Sequence, residues 1–267
     1  MISSRSNQKV KYIRRLQSDR RFRRHEQAFV VEGTRWLKEF LVQPHRLKQI
    51  FYRADWAAAA ENAHMLAHAD VGKQSVSKEV MTAMSATETA PGILAVATVE
   101  SLPIPTVPTL IVILDAINDP GNLGTILRSA AAAGVDAVLL GPGSVDIYNP
   151  KVVRSSMGAL LRLPIHHLGW IQINKIVAGM DVWLAAGDGK KSYTAVDWRK
   201  PSALIVGNEA HGSSDKAQFL AESTIAIPMQ SGTESLNAAM AASIIMFEAV
   251  RQRSLSATAN EVVLNLK

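Results

Sequence analysis

The chain has 267 residues, 48% hydrophobic and 19% charged, with no cysteine. That composition excludes wholesale disorder, and the absent thiols exclude disulfides, zinc fingers, iron–sulfur clusters and cysteine nucleophiles. The net charge of +6 is unevenly spread: residues 1–53 hold 14 of the 29 Lys and Arg against 4 acids, residues 54–108 hold 2 against 6, and residues 109–267 hold 13 against 13. One segment carries all the basic excess, which points to a polyanion such as nucleic acid, although a solvated basic helix would have the same composition.

At roughly 150 residues per domain, two domains are expected. MISSRSNQKVKYIRR is charged and has no apolar stretch, and no apolar run approaches the roughly 18 residues of a membrane span. A cytoplasmic chain without membrane contact is expected. Val10, Ile13 and Leu16 recur at helical spacing, with Arg14 and Arg15 on other faces. A basic helix is predicted there, followed by a basic loop through Arg20, Arg21, Arg23 and Arg24. AFVVEG reads as a strand, Thr34–Val42 as a helix, QIFYRA as a strand, Asp55–Ala67 as a helix and GKQSVS as a short strand. Ser77 is placed to cap a helix through Met84, and GILAVATV reads as a strand. This alternation predicts a small α/β domain over residues 1–100.

Residues 101–108, SLPIPTVP, hold three prolines in eight residues and read as an extended linker. Beyond it, over 109–267, TLIVIL is a continuous apolar run, the mark of a strand covered on both faces. A helix is predicted from Gly121 to Ala133, a second strand over Ala137–Leu140, and three more over Val182–Ala186, Ala203–Val206 and Thr224–Ile227. A long helix closes the chain from Ser235 to about Gln252. Helices between apolar strands imply a parallel sheet.

Several familiar motifs are missing. Gly141-Pro-Gly143 follows a strand without completing a dinucleotide fingerprint, and Gly187-Asp-Gly-Lys190 is not a P-loop. No G-x-S-x-G elbow occurs. His64 and His68 are four apart without the metalloprotease glutamate, so they read as helix surface and no metal site is expected. Three other segments each follow a buried strand, where open parallel sheets bind ligands. They are Asn118 to Ala130, containing Gly121-Asn122, Gly124 and Arg128; Gly207-Asn-Glu209-Ala-His-Gly212; and Ile227-Pro-Met229 through Ser235-Leu236-Asn237, with Ser235 placed as a helix cap. Singly, each is compatible with an ordinary strand–loop–helix connection.

In this order the three segments resemble the signature motifs of the SpoU/TrmH-type RNA ribose 2′-O-methyltransferases of the SPOUT superfamily. The stretch FVVEGTRWLKEFL makes the first domain look like the family's small RNA-binding domain of ribosomal-protein L30e type. The sequence departs from the family at Ala238-Ala239, where Val-Ser is usual, and Gly232 sits one position later than in many members. The resemblance implies an α/β, parallel-sheet catalytic domain with a deep trefoil knot, a homodimer through that domain, and S-adenosyl-L-methionine as cofactor. It implies methyl transfer to a ribose 2′-hydroxyl of ribosomal RNA, with transfer RNA as the second choice of substrate. Carried over residue by residue, it implies catalytic roles for Arg128, Asn122, Glu209, Ser235 and Asn237. Gly207, Ile227, Met229, Leu236 and Ala185 would hold the cofactor. A guanidinium does not deprotonate in a protein, so Arg128 is expected to clamp a phosphate and stabilise a developing alkoxide rather than act as a base. Lys9, Lys11, Arg14, Arg15, Arg20, Arg21, Arg23 and Arg24 are the expected contacts to RNA phosphates. Two other readings are a catalytically inactive RNA-binding member of the same fold, opposed by the intact polar motif residues, and a nucleotide-dependent oxidoreductase, opposed by the missing fingerprint.

Overall fold

The computed structural model describes residues 1–209, 211–230 and 235–264, with side chains described through residue 255. The chain forms two compact units, residues 1–100 with 146–154, and residues 101–145 with 155–267. No helix among the described residues is long and apolar enough to cross a membrane.

In the first unit, α1 (Gln8–Ser18) turns Val10, Ile13 and Leu16 inward, as their spacing predicts. The arginine-rich stretch after it is a helix rather than a loop, α2 (Arg20–Glu26). Asp19 makes this possible by serving both helices: its N–H donates to Arg15 O, and its carboxylate accepts from Phe22 N at 3.0 Å. There follow β1 (Ala28–Glu32), α3 (Thr34–Leu41), β2 (Leu47–Tyr52), α4 (Ala54–Ala57), α5 (Ala60–His68), β3 (Gly72–Ser75), α6 (Lys78–Met84) and β4 (Ile93–Thr98). The single helix expected over Asp55–Ala67 is split. Asn62 Nδ2 donates to Trp56 O at 2.7 Å, and Ala59 is extended, so local side-chain hydrogen bonding overrides the helix propensity of the alanine run. Ser77 caps α6 by accepting from Val80 N. The strands order as β1-β4-β2-β3, with β4 antiparallel to both neighbours and β2 parallel to β3. Val10, Ile13, Leu16, Phe51, Met81, Met84 and Val96 form one core between the sheet and α1 and α6.

Residues 146–154 close this unit with polar contacts. Arg23 is only 4% exposed. It pairs with Asp146 Oδ2 through Nε at 2.9 Å and Nη2 at 2.7 Å, and Nη1 donates to Leu16 O at 2.7 Å. Phe29 stacks on Tyr148 with ring centroids 4.7 Å apart. Burial pushes the Tyr148 phenol up to about 12; Arg46 opposes the rise and Asp146 and Glu100 add to it.

The second unit begins with the proline-rich stretch expected as a linker. His166 meets Leu102 O at 2.8 Å, and Ile104 packs against the unit's core. Its elements are β5 (Leu110–Leu114), α7 (Pro120–Ala132), β6 (Ala137–Leu140), α8 (Pro150–Ser156, begun in the first unit), β7 (Ile165–His167), α9 (Trp170–Ile176), β8 (Asp181–Ala185), β9 (Lys191–Ser192), β10 (Ser202–Val206), α10 (Asp215–Leu220), β11 (Ser223–Ala226) and α11 (Ala238–Leu264). The seven strands order as β7-β6-β5-β10-β8-β11-β9, and every pairing is parallel. Two of them, β7 and β9, were not expected: they are three and two residues long, too short and polar for an apolar run. Ile173 of α9 and Ala217 of α10 pack with Ile111, Leu139, Leu184 and Ile205 in one core, while Ser243 of α11 bonds Ser129 of α7 at 2.7 Å. From β5 the chain runs outward through β6 to β7, then returns to β8, and β10 fills the gap between β5 and β8. The strand order therefore reverses at β5/β10, the kind of crevice where open α/β sheets bind ligands.

Candidate active site

The loop after β5 is held from two directions. Asp115 is buried, and its Oδ2 accepts from Ser214 N at 2.6 Å. Ala116 adopts φ +57, a region that costs a side-chain-bearing residue about 1–2 kcal/mol, and its carbonyl accepts from Asn208 Nδ2 at 2.7 Å. Asp119 then caps α7 by accepting from Asn122 N at 2.8 Å, with Pro120 in the first turn. The loop after β10 folds back on itself: Asn208 and Gly212 exchange both backbone hydrogen bonds at 2.9 Å. Gly207 is required there, because a Cβ would stand 2.9 Å from the Gly212 carbonyl carbon.

These loops bring three predicted residues together. Asn122 Nδ2 donates to Glu209 Oε1 at 2.5 Å, and Asn237 Nδ2 donates to Asn122 Oδ1 at 2.9 Å. Asn237 Oδ1 in turn accepts from Ala239 N at 2.9 Å and Met240 N at 3.2 Å. Asn237, not Ser235, therefore caps α11, two residues later than the sequence suggests. The relay uses both functions of two amides, so each has a defined orientation.

The relay borders a cleft of about 750 Å³ at the C-terminal ends of β8, β10 and β11, within the range of small-molecule sites. Its walls include Ala185, Gly207, Ile227, Met229, Ser235 and Leu236 beside Asn122, Glu209 and Asn237. Arg128 is exposed on α7 and is not among the lining residues. Gly232 lies outside the described residues. In the first unit Lys9, Lys11, Arg14, Arg15, Arg20, Arg21 and Arg24 are exposed. Arg15 lies 4.1 Å over the Phe22 ring and 3.6 Å from Asp19. Arg23 is the exception, buried against Asp146 and so withheld from any phosphate.

Asp119, Asn208 and Asp188 also line the cleft, and the sequence did not single them out. Asp188 belongs to Gly187-Asp-Gly189, a turn that does not complete a P-loop. Its usable signal is simpler: a glycine-bracketed turn directly after an apolar strand.

Residues 109–247 match the SpoU rRNA Methylase family, and residues 7–95 match the MRM3-like substrate binding domain. The chain belongs to the SpoU rRNA methylase family. Two of its relatives in the family span nearly the whole chain. The 23S rRNA (guanosine(2553)-2′-O)-methyltransferase RlmP of Bacillus subtilis is 31% identical over 92% of this chain and 97% of its own. An uncharacterized tRNA/rRNA methyltransferase of Synechocystis is 32% identical over 96% of each. The SpoU methyltransferase AviRb of Streptomyces viridochromogenes, solved in complex with AdoMet, superposes with a TM-score of 0.83 at 27% identity, over 92% of this chain and 98% of that one.

Proposed function

We propose that this SpoU family member transfers a methyl group from S-adenosylmethionine to a ribose 2′-hydroxyl of ribosomal RNA. The observation that carries the reading is the Glu209–Asn122–Asn237 relay at the mouth of the strand-end cleft, in a chain of this family. The cleft suits a nucleoside-bearing cofactor: apolar side chains of Ile227, Met229, Leu236 and Ile245 can flank an adenine, and Ala185 and Gly207 in its walls carry little or no side chain. When bound, S-adenosylmethionine supplies an electrophilic methyl on a sulfonium.

The residues of the chain do the rest. Gly207, Ile227, Met229, Leu236 and Ala185 bind the cofactor and keep water from it. Asn122, oriented by Glu209 and Asn237, holds the ribose so that hydroxyl and methyl are in line, and such positioning is a large part of a barrier. Ser235 steadies the loop entering α11. Arg128 meets the target phosphate from outside the cleft, stabilising the developing alkoxide. Exposed cations of α1 and α2 hold the RNA backbone. The same reading carries a knotted catalytic domain, a cytoplasmic location and a homodimer; half-exposed Met240, Ile244 and Phe247 on α11 support the last.

Labelled methyl transfer from S-adenosylmethionine to purified ribosomal and transfer RNA tests this. Label in alkali-resistant dinucleotides of ribosomal RNA is expected, because a methylated 2′-oxygen cannot attack the neighbouring phosphate. Label in transfer RNA alone would replace the substrate, and label in alkali-labile nucleotides would overturn ribose methylation.

A further inference from the structure

The cleft is lined by charge of one sign. Among the described residues its walls include Asp119, Asp188 and Glu209 and no lysine or arginine; His211 is the remaining titratable group in its walls. Asp119 and Glu209 are engaged with Asn122. Asp188 is exposed, and its carboxylate accepts no hydrogen bond among the described residues. The turn that carries it is nevertheless tightly set. Ala186 N donates to Ile225 O at 2.9 Å, Gly189 N to Ala186 O at 3.2 Å and Lys190 N to Thr224 Oγ1 at 3.1 Å. A Cβ on Gly189 would stand 2.3 Å from the Ile225 carbonyl carbon, so the turn lies flat against β11. Of the neighbouring cations, Lys190 does not line the cleft, and Lys191 lies 5.1 Å over the Trp183 ring.

We infer that Asp188, with Asp119 and Glu209, makes the cleft discriminate by charge between the sulfonium cofactor and its thioether product. The inference rests on the cofactor reading above. In the transfer, the S–CH3 bond breaks and its electron pair stays on sulfur. A bond forms from the ribose 2′-oxygen to the methyl, and the hydroxyl proton passes to solvent. The bound molecule thereby loses one positive charge. Carboxylates that attract the sulfonium have no such hold on the thioether, so affinity falls as the methyl leaves and the product departs more readily. One unit charge facing another at about 4 Å in water corresponds to about fivefold in binding.

Calorimetric titration of the full chain with S-adenosylmethionine, sinefungin and S-adenosylhomocysteine tests this. Sinefungin carries an ammonium where the sulfonium stands. The two cationic molecules are expected to bind about fivefold tighter than the thioether, with the gap narrowing in about 0.5 M salt. Asp188→Asn is expected to bring the ratio toward unity while leaving thioether affinity within about twofold. Asp188→Ser with an unchanged thermal melt guards against a folding artefact. Thioether binding as tight as that of the cations overturns the inference. So does equal weakening of all three ligands by Asp188→Asn, which would make Asp188 a partner for a neutral group. If none of the three binds the wild type, the cofactor reading falls and the inference with it, an outcome distinct from equal binding of all three.

Discussion

Arg23 and Asp146, 123 positions apart, form a buried ion pair at 2.7 Å inside the first unit. The arginine sits in the run Arg20-Arg21-Phe22-Arg23-Arg24, where charge alone would assign it to RNA. Asp146 follows β6 in sequence and yet belongs to the unit built by residues 1–100. Breaking a buried pair leaves the surviving charge without a partner. Asp146→Ala is therefore expected to cost about 3–5 kcal/mol of stability in urea unfolding. Arg23→Met with Asp146→Leu should cost less than either single change, and a double variant no more stable than Asp146→Ala would contradict this account.

The exposed cations behave differently. Replacing Arg14, Arg20, Arg21 and Arg24 by alanine should leave the melting temperature within a few degrees. It should lower RNA affinity and flatten its salt dependence by about 0.7–0.9 in log–log slope for each phosphate no longer neutralised. S-adenosylmethionine binding should not change. An unaltered salt slope would remove α1 and α2 from the RNA interface.

Asn122 stands between Glu209 and Asn237, and its loss frees both. Asn122→Ala is expected to lower kcat about 100-fold with cofactor affinity kept within about twofold, as a misplaced reacting group would. A change confined to KM would mean that Asn122 only binds RNA.

Asn237 has two roles that substitution can separate. Asn237→Ala removes both the α11 cap and the bond to Asn122, and the cap alone is worth about 0.5–2 kcal/mol. Asn237→Asp keeps an acceptor for Ala239 N and Met240 N but cannot donate to Asn122. Thermal unfolding should rank the aspartate variant near wild type and the alanine variant below it, while methyl transfer falls in both. Equal stabilities would show that the cap contributes nothing.

Tyr148 supplies a test by pH. Its phenol titrates at 10.0 when unconstrained and at about 12 in the fold. The folded state holds the proton more tightly, so this contribution is complete below pH 10 and is lost as pH rises from 10 to about 12. The loss amounts to about 2–3 kcal/mol. Urea unfolding across that range should show wild type losing stability relative to Tyr148→Phe, and parallel curves would refute it.

Much of the catalytic fold is legible in the sequence because its strands are covered on both faces. Leu110–Leu114, Ala137–Leu140 and Ala203–Val206 are continuous apolar runs, and their shortness and content of Val and Ile mark them as buried strands. Local chemistry was less readable. Asn62 broke an alanine-rich helix, Asp19 started a helix within an arginine run, and Asn237 took the cap that Ser235 could equally have filled. The motif residues that line the cleft were readable as a set, but Arg128 lies outside its walls and Asp188 inside them.

The sequence by itself therefore determined the alternation of elements, the polar motifs after the buried strands and the basic first domain. Those depend on hydrophobic period and residue type, which are local properties. Only the tertiary structure decided that Asn122, Glu209 and Asn237 share hydrogen bonds, that Arg23 is spent on Asp146, and that the cleft carries charge of one sign. The first two depend on chain segments distant in sequence meeting within about 3 Å, the reach of a hydrogen bond, and the third on three loops lining one space; composition and spacing hold no record of such meetings.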